Sequence, residues 1–231
     1  MTKQSLLKEL ESAGTAQNRK IYRRHGVSDE MFGVSYANLD KIAKRVRKEG
    51  HTELAIPLWD SGNHDAKVLA TKILQPDSLN RKTATRLASS VTHSLQASGF
   101  AQAIAQKEFA PDLADEWVEL NASRSHWKVY TGWVLIASIA LAKKTHQEVP
   151  DDWFALHLET IDYRIHESPN EIRDQMNSTL IAIGSRNENL RNIAITKAKK
   201  IGKVEVDHGE TSCKTPDAVS YIRKVWDRKK R

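Results

Sequence analysis

SYANLDKIAKRVRKEG, residues 35–50, reads as one complete amphipathic helix. Ser35 is a natural N-cap, because a hydroxyl there accepts from an amide that the first helical turn leaves unpaired. Leu39, Ile42, Ala43 and Val46 form one stripe at the 3.6-residue period, while Lys41, Lys44, Arg45 and Lys48 fill the other faces. Gly50 supplies the stop.

The same grammar extends outward in both directions. TELAIPLWDSG (52–62) carries Pro57 inside a helical pattern, so a kink or break is expected there. HDAKVLATKIL (64–74) and PDSLNRKTATRLASSVTHSL (76–95) follow as helical units. SHWKVYTGWVLIASIALAKK (125–144) is apolar around most of its girth from Val129 onward, as a helix buried on several sides must be. PDDWFALHLETIDYRIHESPN (150–170) opens on a proline and two acids and ends at Pro169. PNEIRDQMNSTLIAIGSRN (169–187) is expected to start from Asn170 as cap and stop at Gly184, and NENLRNIAITKAKKIG (187–202) to stop at Gly202. In TPDAVSYIRKVWDRKKR (215–231), Thr215 is the expected N-cap and Pro216 the first helical residue. Only KVEVDH (203–208) has an extended pattern, and it is too short to build a sheet.

These units predict an all-α chain of about a dozen helices, paired at intervals of roughly 30 to 45 residues. That spacing is the signature of a curved HEAT-like or armadillo-like solenoid, with an irregular helical bundle as the alternative. We expect a single repeat domain over residues 1–231, ending in a basic tail at about 227–231. The chain has no long apolar run for a membrane span, an N-terminus too polar for a signal peptide, and one cysteine. Those features fit a cytoplasmic protein.

Charge is uneven along the 231 residues. Residues 19–48 and 197–231 each sum to +6, and 49–196 to −5, within an overall +7. Two basic ends bracketing an acidic middle point to phosphate contacts. The candidate contacts are Arg45, Arg47, Lys200, Lys203, Lys214, Arg223 and Lys224, with His208 beside them. Trp127, Tyr130 and Trp133 are the candidate aromatics of a nucleic-acid cleft, although such residues are more often core.

VEVDHGETSCKTPDA (204–218) concentrates reactive side chains, yet known chemistries fail on it. His208-Gly209-Glu210 matches half of a zinc deaminase motif whose other half needs two cysteines, and only Cys213 is present. His166-Glu167 begins a zincin pattern that Asn170 and Pro169 break. A thiolate at Cys213 lacks a rigidly held base. No metal and no cofactor is therefore expected, and the stretch reads as an ordered connection, with Val204 and Val206 pointing inward.

Across roughly residues 15–228 the sequence resembles the DNA alkylation repair family, the AlkD-type HEAT-like repeat proteins. The resemblance rests on FGVSYANLDKIAKRVRK, PLWDSGNHDAKVLATKIL, DEWVELNASRSHWKVYTGWVLIASIA and the closing IHESPNEIRDQMNSTLIAIGSRN…AKKIGKVEVDHGETSCKTPDA. It implies a curved solenoid whose concave face holds duplex DNA through its backbone, and whose active members release cationic N3- and N7-alkylpurines; the protein itself is expected to be a monomer. Those members use a tryptophan, an aspartate four residues later and an arginine on a neighbouring helix. In an ungapped register these positions fall at Gln96, Phe100 and Tyr130, so all three are missing here. No acid occurs between Asp77 and Glu108 to replace the aspartate. Little alkylpurine release is then expected, with Asp115, Glu116 and Glu167 the first acids to test if release occurs. A non-catalytic helical scaffold binding nucleic acid or protein is the alternative function.

Overall fold

The computed structural model describes residues 1–229. Lys230 and Arg231, the end of the expected basic tail, lie outside the described residues. Thirteen α-helices and three short 3-10 turns are present, and no strand is formed among the described residues. The helices gather into two compact units, Met1–Lys107 and Glu108–Arg231.

The first unit holds α1 (Lys3–Ala13), α2 (Ala16–Arg24), α3 (Tyr36–Lys48), α4 (Ala55–Trp59), α5 (His64–Ile73), α6 (Arg81–Ala88) and α7 (Ser94–Ile104). Its centre is α5, which packs against α3, α4 and α7. All of α5 except Thr71 and Lys72 is buried, including His64, Asp65 and Lys67. The α3 stripe is the expected one, with Leu39, Ile42, Ala43 and Val46 buried and the Ser35 side chain capping Asn38 N. Pro57 lies in a helix of only five residues, α4. The stretch 76–95 departs from the expected continuous helix. It breaks into a 3-10 turn at Pro76–Ser78, then α6, then the start of α7, because Asn80 caps α6 and the His93 side chain caps α7.

The second unit holds α8 (Ala110–Val118), α9 (Ala122–Leu141), α10 (Asp151–Arg164), α11 (Asn170–Gly184), α12 (Glu188–Ile201) and α13 (Ala218–Lys229). Helix α9 packs on α8 and α11, α12 on α10 and α11, and α13 on α11 and α12. As its sequence demands, α9 is buried continuously from Val129 to Ile136. Its first turn is bent at Ser125, whose backbone leaves the helical region. Gly184 ends α11 as expected, but its lack of a side chain serves packing: a Cβ there would stand 2.7 Å from Ile222 Cδ1 and 2.8 Å from Ala194 Cβ. Gly202 ends α12 with φ +72° and ψ −145°, a region open essentially to glycine alone, which costs other residues about 1–3 kcal/mol.

No helix among the described residues is long and apolar enough to cross a membrane.

Candidate nucleic-acid interface

Between α12 and α13 the chain runs for residues 203–217 without regular structure, and α11 holds it. Asn170, Arg173 and Asn177 lie about one and two turns apart and so share a helix face. Asn170 clamps Asp207 from both sides, accepting from its N–H at 2.8 Å and donating to its carbonyl at 2.7 Å. Arg173 donates to the Glu205 carbonyl at 2.9 Å and Asn177 to the Pro216 carbonyl at 3.0 Å. Val204 and Val206 are half-buried, while Glu205 and Asp207 between and beyond them are exposed, so the expected alternation is present.

The last helix begins later than its sequence suggests. Thr215 is not the cap: its hydroxyl meets His208 Nε2 at 2.9 Å, and the Pro216 carbonyl is taken by Asn177. Asp217 caps instead, with Oδ1 accepting from Ser220 N at 2.8 Å, and Ala218 is the first helical residue. Asn170 is likewise not a cap, since its amide is spent on Asp207 and Pro169 stands at the cap position.

Under the strand-like segment lies a groove of about 810 Å³, lined among others by Lys199, Lys203, His208, Lys214 and Asn177. Arg223, Lys224 and Arg228 line a shallower depression on α13. The sequence-predicted cations divide into two groups. Arg45 is ion-paired with Glu9, Arg47 donates to the Lys72 carbonyl, and Lys203 pairs with Glu205 at 2.6 Å. Lys200 sits 2.7 Å from Asp162, a carboxylate only 6% exposed that also takes Lys197. Hydrogen bonding by Lys200 is the main cause that holds Asp162 below the usual carboxylate range. Lys200 is therefore not spare charge. Lys199, Lys214 and Lys224 have no ion-pair partner among the described residues, and sequence reading had missed Lys199. The charge of Arg223 is one of the causes that hold the Asp217 carboxyl below its usual range, after the hydrogen bonds from Ser220.

Asp174 lies on the same face of α11, where burial pushes its carboxyl up and the charge of His208 offsets part of the rise. No three His, Cys, Asp or Glu side chains among the described residues are grouped to hold a metal ion. Cys213 is a free, exposed thiol. Of the three aromatics, Trp133 is 2% exposed and belongs to the core, with its ring edge-on to His157. Tyr130 is buried, and Trp127 is half-buried with its ring 5.3 Å from that of Tyr130.

Comparison with known proteins settles the lineage. Residues 6–222 match the family model described as DNA alkylation repair enzyme. The chain belongs to the DNA alkylation repair family. Uncharacterized proteins of Listeria innocua and Listeria monocytogenes are 28% and 29% identical over 229 residues, covering 95% and 96% of both chains. A solved structure aligns with a TM-score of 0.84 at 26% identity, over 99% of this chain and 95% of its own. It is described as one of a new family of proteins related to the HEAT-like repeat DNA glycosylases with affinity for branched DNA structures. The all-α architecture is thus a HEAT-like repeat fold.

Gln96 and Phe100, where the ungapped register sets the family's tryptophan and aspartate, are fully buried. Phe100 packs its ring 5.2 Å from that of Trp59, an apolar setting that could not hold an ionised carboxylate. Gln96 is different: it is a polar side chain at 0% exposure with partners on every side. Its Nε2 lies 3.2 Å from Asp29 Oδ2 and 3.1 Å from His64 Nδ1, and its Oε1 accepts from Thr92 N at 3.0 Å. A search for acids near Gln96 in sequence finds none, yet the fold delivers Asp29 from 67 residues away. Asp115, the first acid named as a substitute, is held by the Trp153 indole N–H at 3.0 Å. Its other oxygen is 3.0 Å from His157 Nε2, which makes no well-aligned hydrogen bond. Burial works against ionisation of Asp115, but His157 and Trp153 outweigh it and hold the carboxyl below its usual range.

Proposed function

We propose that the protein binds DNA, as a monomer, through the phosphate backbone, using the lysines and arginines of the 203–217 segment and of α12 and α13. The observation that carries this reading is the set of cations without carboxylate partners, Lys199, Lys214 and Lys224, gathered on consecutive elements of one unit. Exposed ion pairs elsewhere are worth only about 0.2–1 kcal/mol, so Arg45 and Lys203 can exchange their partners for phosphate at little cost. The relative with affinity for branched DNA structures supports a preference for branched over linear duplex. The absence of a tryptophan and a carboxylate on α7 favours binding over hydrolysis of a glycosidic bond.

The test is a titration of a four-way junction and a linear duplex of equal length over a range of salt. Affinity is expected to fall steeply with salt, the slope easing by about 0.9 for each phosphate contact removed. Lys199→Gln, Lys214→Gln and Lys224→Gln should each ease it, and Lys200→Gln should not. Salt-independent affinity, or affinity unchanged in the triple variant, overturns the reading.

A further inference from the structure

The extended residues 203–208 are held along one edge only. Asn170 takes both the N–H and the carbonyl of Asp207, as a residue of an adjoining strand would, and Arg173 on the same helix takes the Glu205 carbonyl. In an extended chain the two main-chain groups of one residue share an edge, and those of the next residue use the other. The N–H and carbonyl groups of Val204 and Val206 therefore turn away from α11, and none of them makes a hydrogen bond with the described residues. The other irregular stretch held by side chains, residues 32–34, has no such surplus. Its three N–H groups are taken by Asp65, and its three carbonyls accept from Arg19, the Thr15 N–H and the Tyr22 hydroxyl. A strand edge left open, as at Val204 and Val206, is a template for another extended chain.

Val204 and Val206 border the groove of about 810 Å³, which residues 213–217 also line. Among the described residues no main-chain hydrogen bond crosses from 203–208 to 213–217. The open edge offers donors and acceptors by turns, which another peptide main chain matches and a phosphate, which only accepts, does not. Charge narrows the choice of peptide. Lys199 and Lys214 line the groove without an ion-pair partner among the described residues and so favour carboxylates. Glu205 and Asp207 are exposed on the opposite face of the segment, where facing carboxylates would be destabilising. Acids at alternate positions with uncharged residues between them meet both conditions. A second copy of this chain does not. Any antiparallel register that sets Val206 opposite Val204 or Val206 of the copy also sets Glu205 opposite the copy's Glu205 or Asp207.

We propose that the open edge at Val204 and Val206 binds, by strand addition, an extended segment of a partner protein with carboxylates at alternate positions. The proposal does not rest on DNA binding, and because Lys199 and Lys214 serve both readings its test is run without DNA. The probe is a labelled peptide of alternating glutamate and threonine, followed by fluorescence anisotropy. Two isomers of it carry N-methyl groups, one on every glutamate and the other on every threonine, so that charge and composition are the same. Only one of the two sets of N–H groups can face the edge, and the isomers should differ in affinity by about tenfold or more, as two lost hydrogen bonds imply. Val206→Pro removes a donor that the fold itself does not use and should weaken the unmodified peptide. Equal affinity of the two isomers would mean that charge alone holds the peptide and overturns the proposal, as does failure of the unmodified peptide to bind. A dimer of the protein that Val206→Pro abolishes would make a second copy the occupant and overturn it too. The isomer comparison uses the wild-type protein, so it decides even if the variant does not fold. Junction binding without peptide binding sinks this inference alone, and peptide binding without junction binding sinks only the DNA reading.

Discussion

Two irregular segments of this protein are fastened by side chains of a neighbouring helix, and the fastenings differ in kind. In the first unit, Asp65 of α5 takes the amides of Phe32, Gly33 and Val34 onto one buried carboxylate. In the second, Asn170, Arg173 and Asn177 of α11 hold 203–217 through exposed or half-buried neutral and cationic groups. Water can replace the second set when it breaks, but not the first. The difference teaches that a similar number of hydrogen bonds gives a rigid foundation in one place and an adjustable attachment in the other.

Removing the grip should cost most where water cannot enter. Asp65→Ala leaves three amides without an acceptor, two of them in buried contacts, and at about 1–3 kcal/mol for each buried orphan the loss should reach several kcal/mol by urea unfolding. A loss below about 1 kcal/mol would show that the two fastenings are equivalent after all. Acid provides a second way to separate them. His64 has its folded pKa near 4, against an ordinary 6.5, so between those values the unfolded chain binds a proton that the folded one does not. Its contribution is complete above pH 6.5 and is lost as pH falls toward 4. Asp174 has the opposite sign: its folded pKa is raised, so its small contribution favours the fold at low pH and is lost as pH rises. Thermal melts across pH 4 to 7 should therefore fall on acidification for the wild-type protein and less so for His64→Gln. An unchanged pH profile in that variant would remove His64 from the account.

Smaller effects are expected at the C-terminal attachment. Asp217→Ala should cost about 0.5–2 kcal/mol as a lost N-cap, whereas Thr215→Ala, which removes a contact to His208 at a half-exposed site, should cost less. Equal losses would restore Thr215 as the cap. Cys213→Ser should change neither melting temperature nor DNA affinity, since the thiol is exposed and holds nothing.

How much of this could be read from sequence follows from the range of each interaction. The α3 stripe, the Gly202 stop and the buried girth of α9 are local patterns, and each is present as its period and caps imply. The α13 start was misplaced because Thr215 and Asp217 are both good caps, and the choice was made by His208 and Asn177 from elsewhere in the chain. The Asp29 cluster was illegible for the same reason carried further: its members stand at 29, 67, 92 and 96, with no spacing motif to join them. Charge counting found the basic ends but could not tell Lys200, committed to Asp162, from Lys199, which is free to act.

The grips on 203–217 all close on main-chain atoms: the N–H and carbonyl of Asp207, and the carbonyls of Glu205 and Pro216. Every residue type offers such a carbonyl, and all but proline the N–H. Substitution along much of this segment can therefore proceed while its path is conserved, and lineages are free to rewrite its outward lettering without disturbing the frame. The side chains this stretch turns outward can be exchanged while the main-chain grips hold its path.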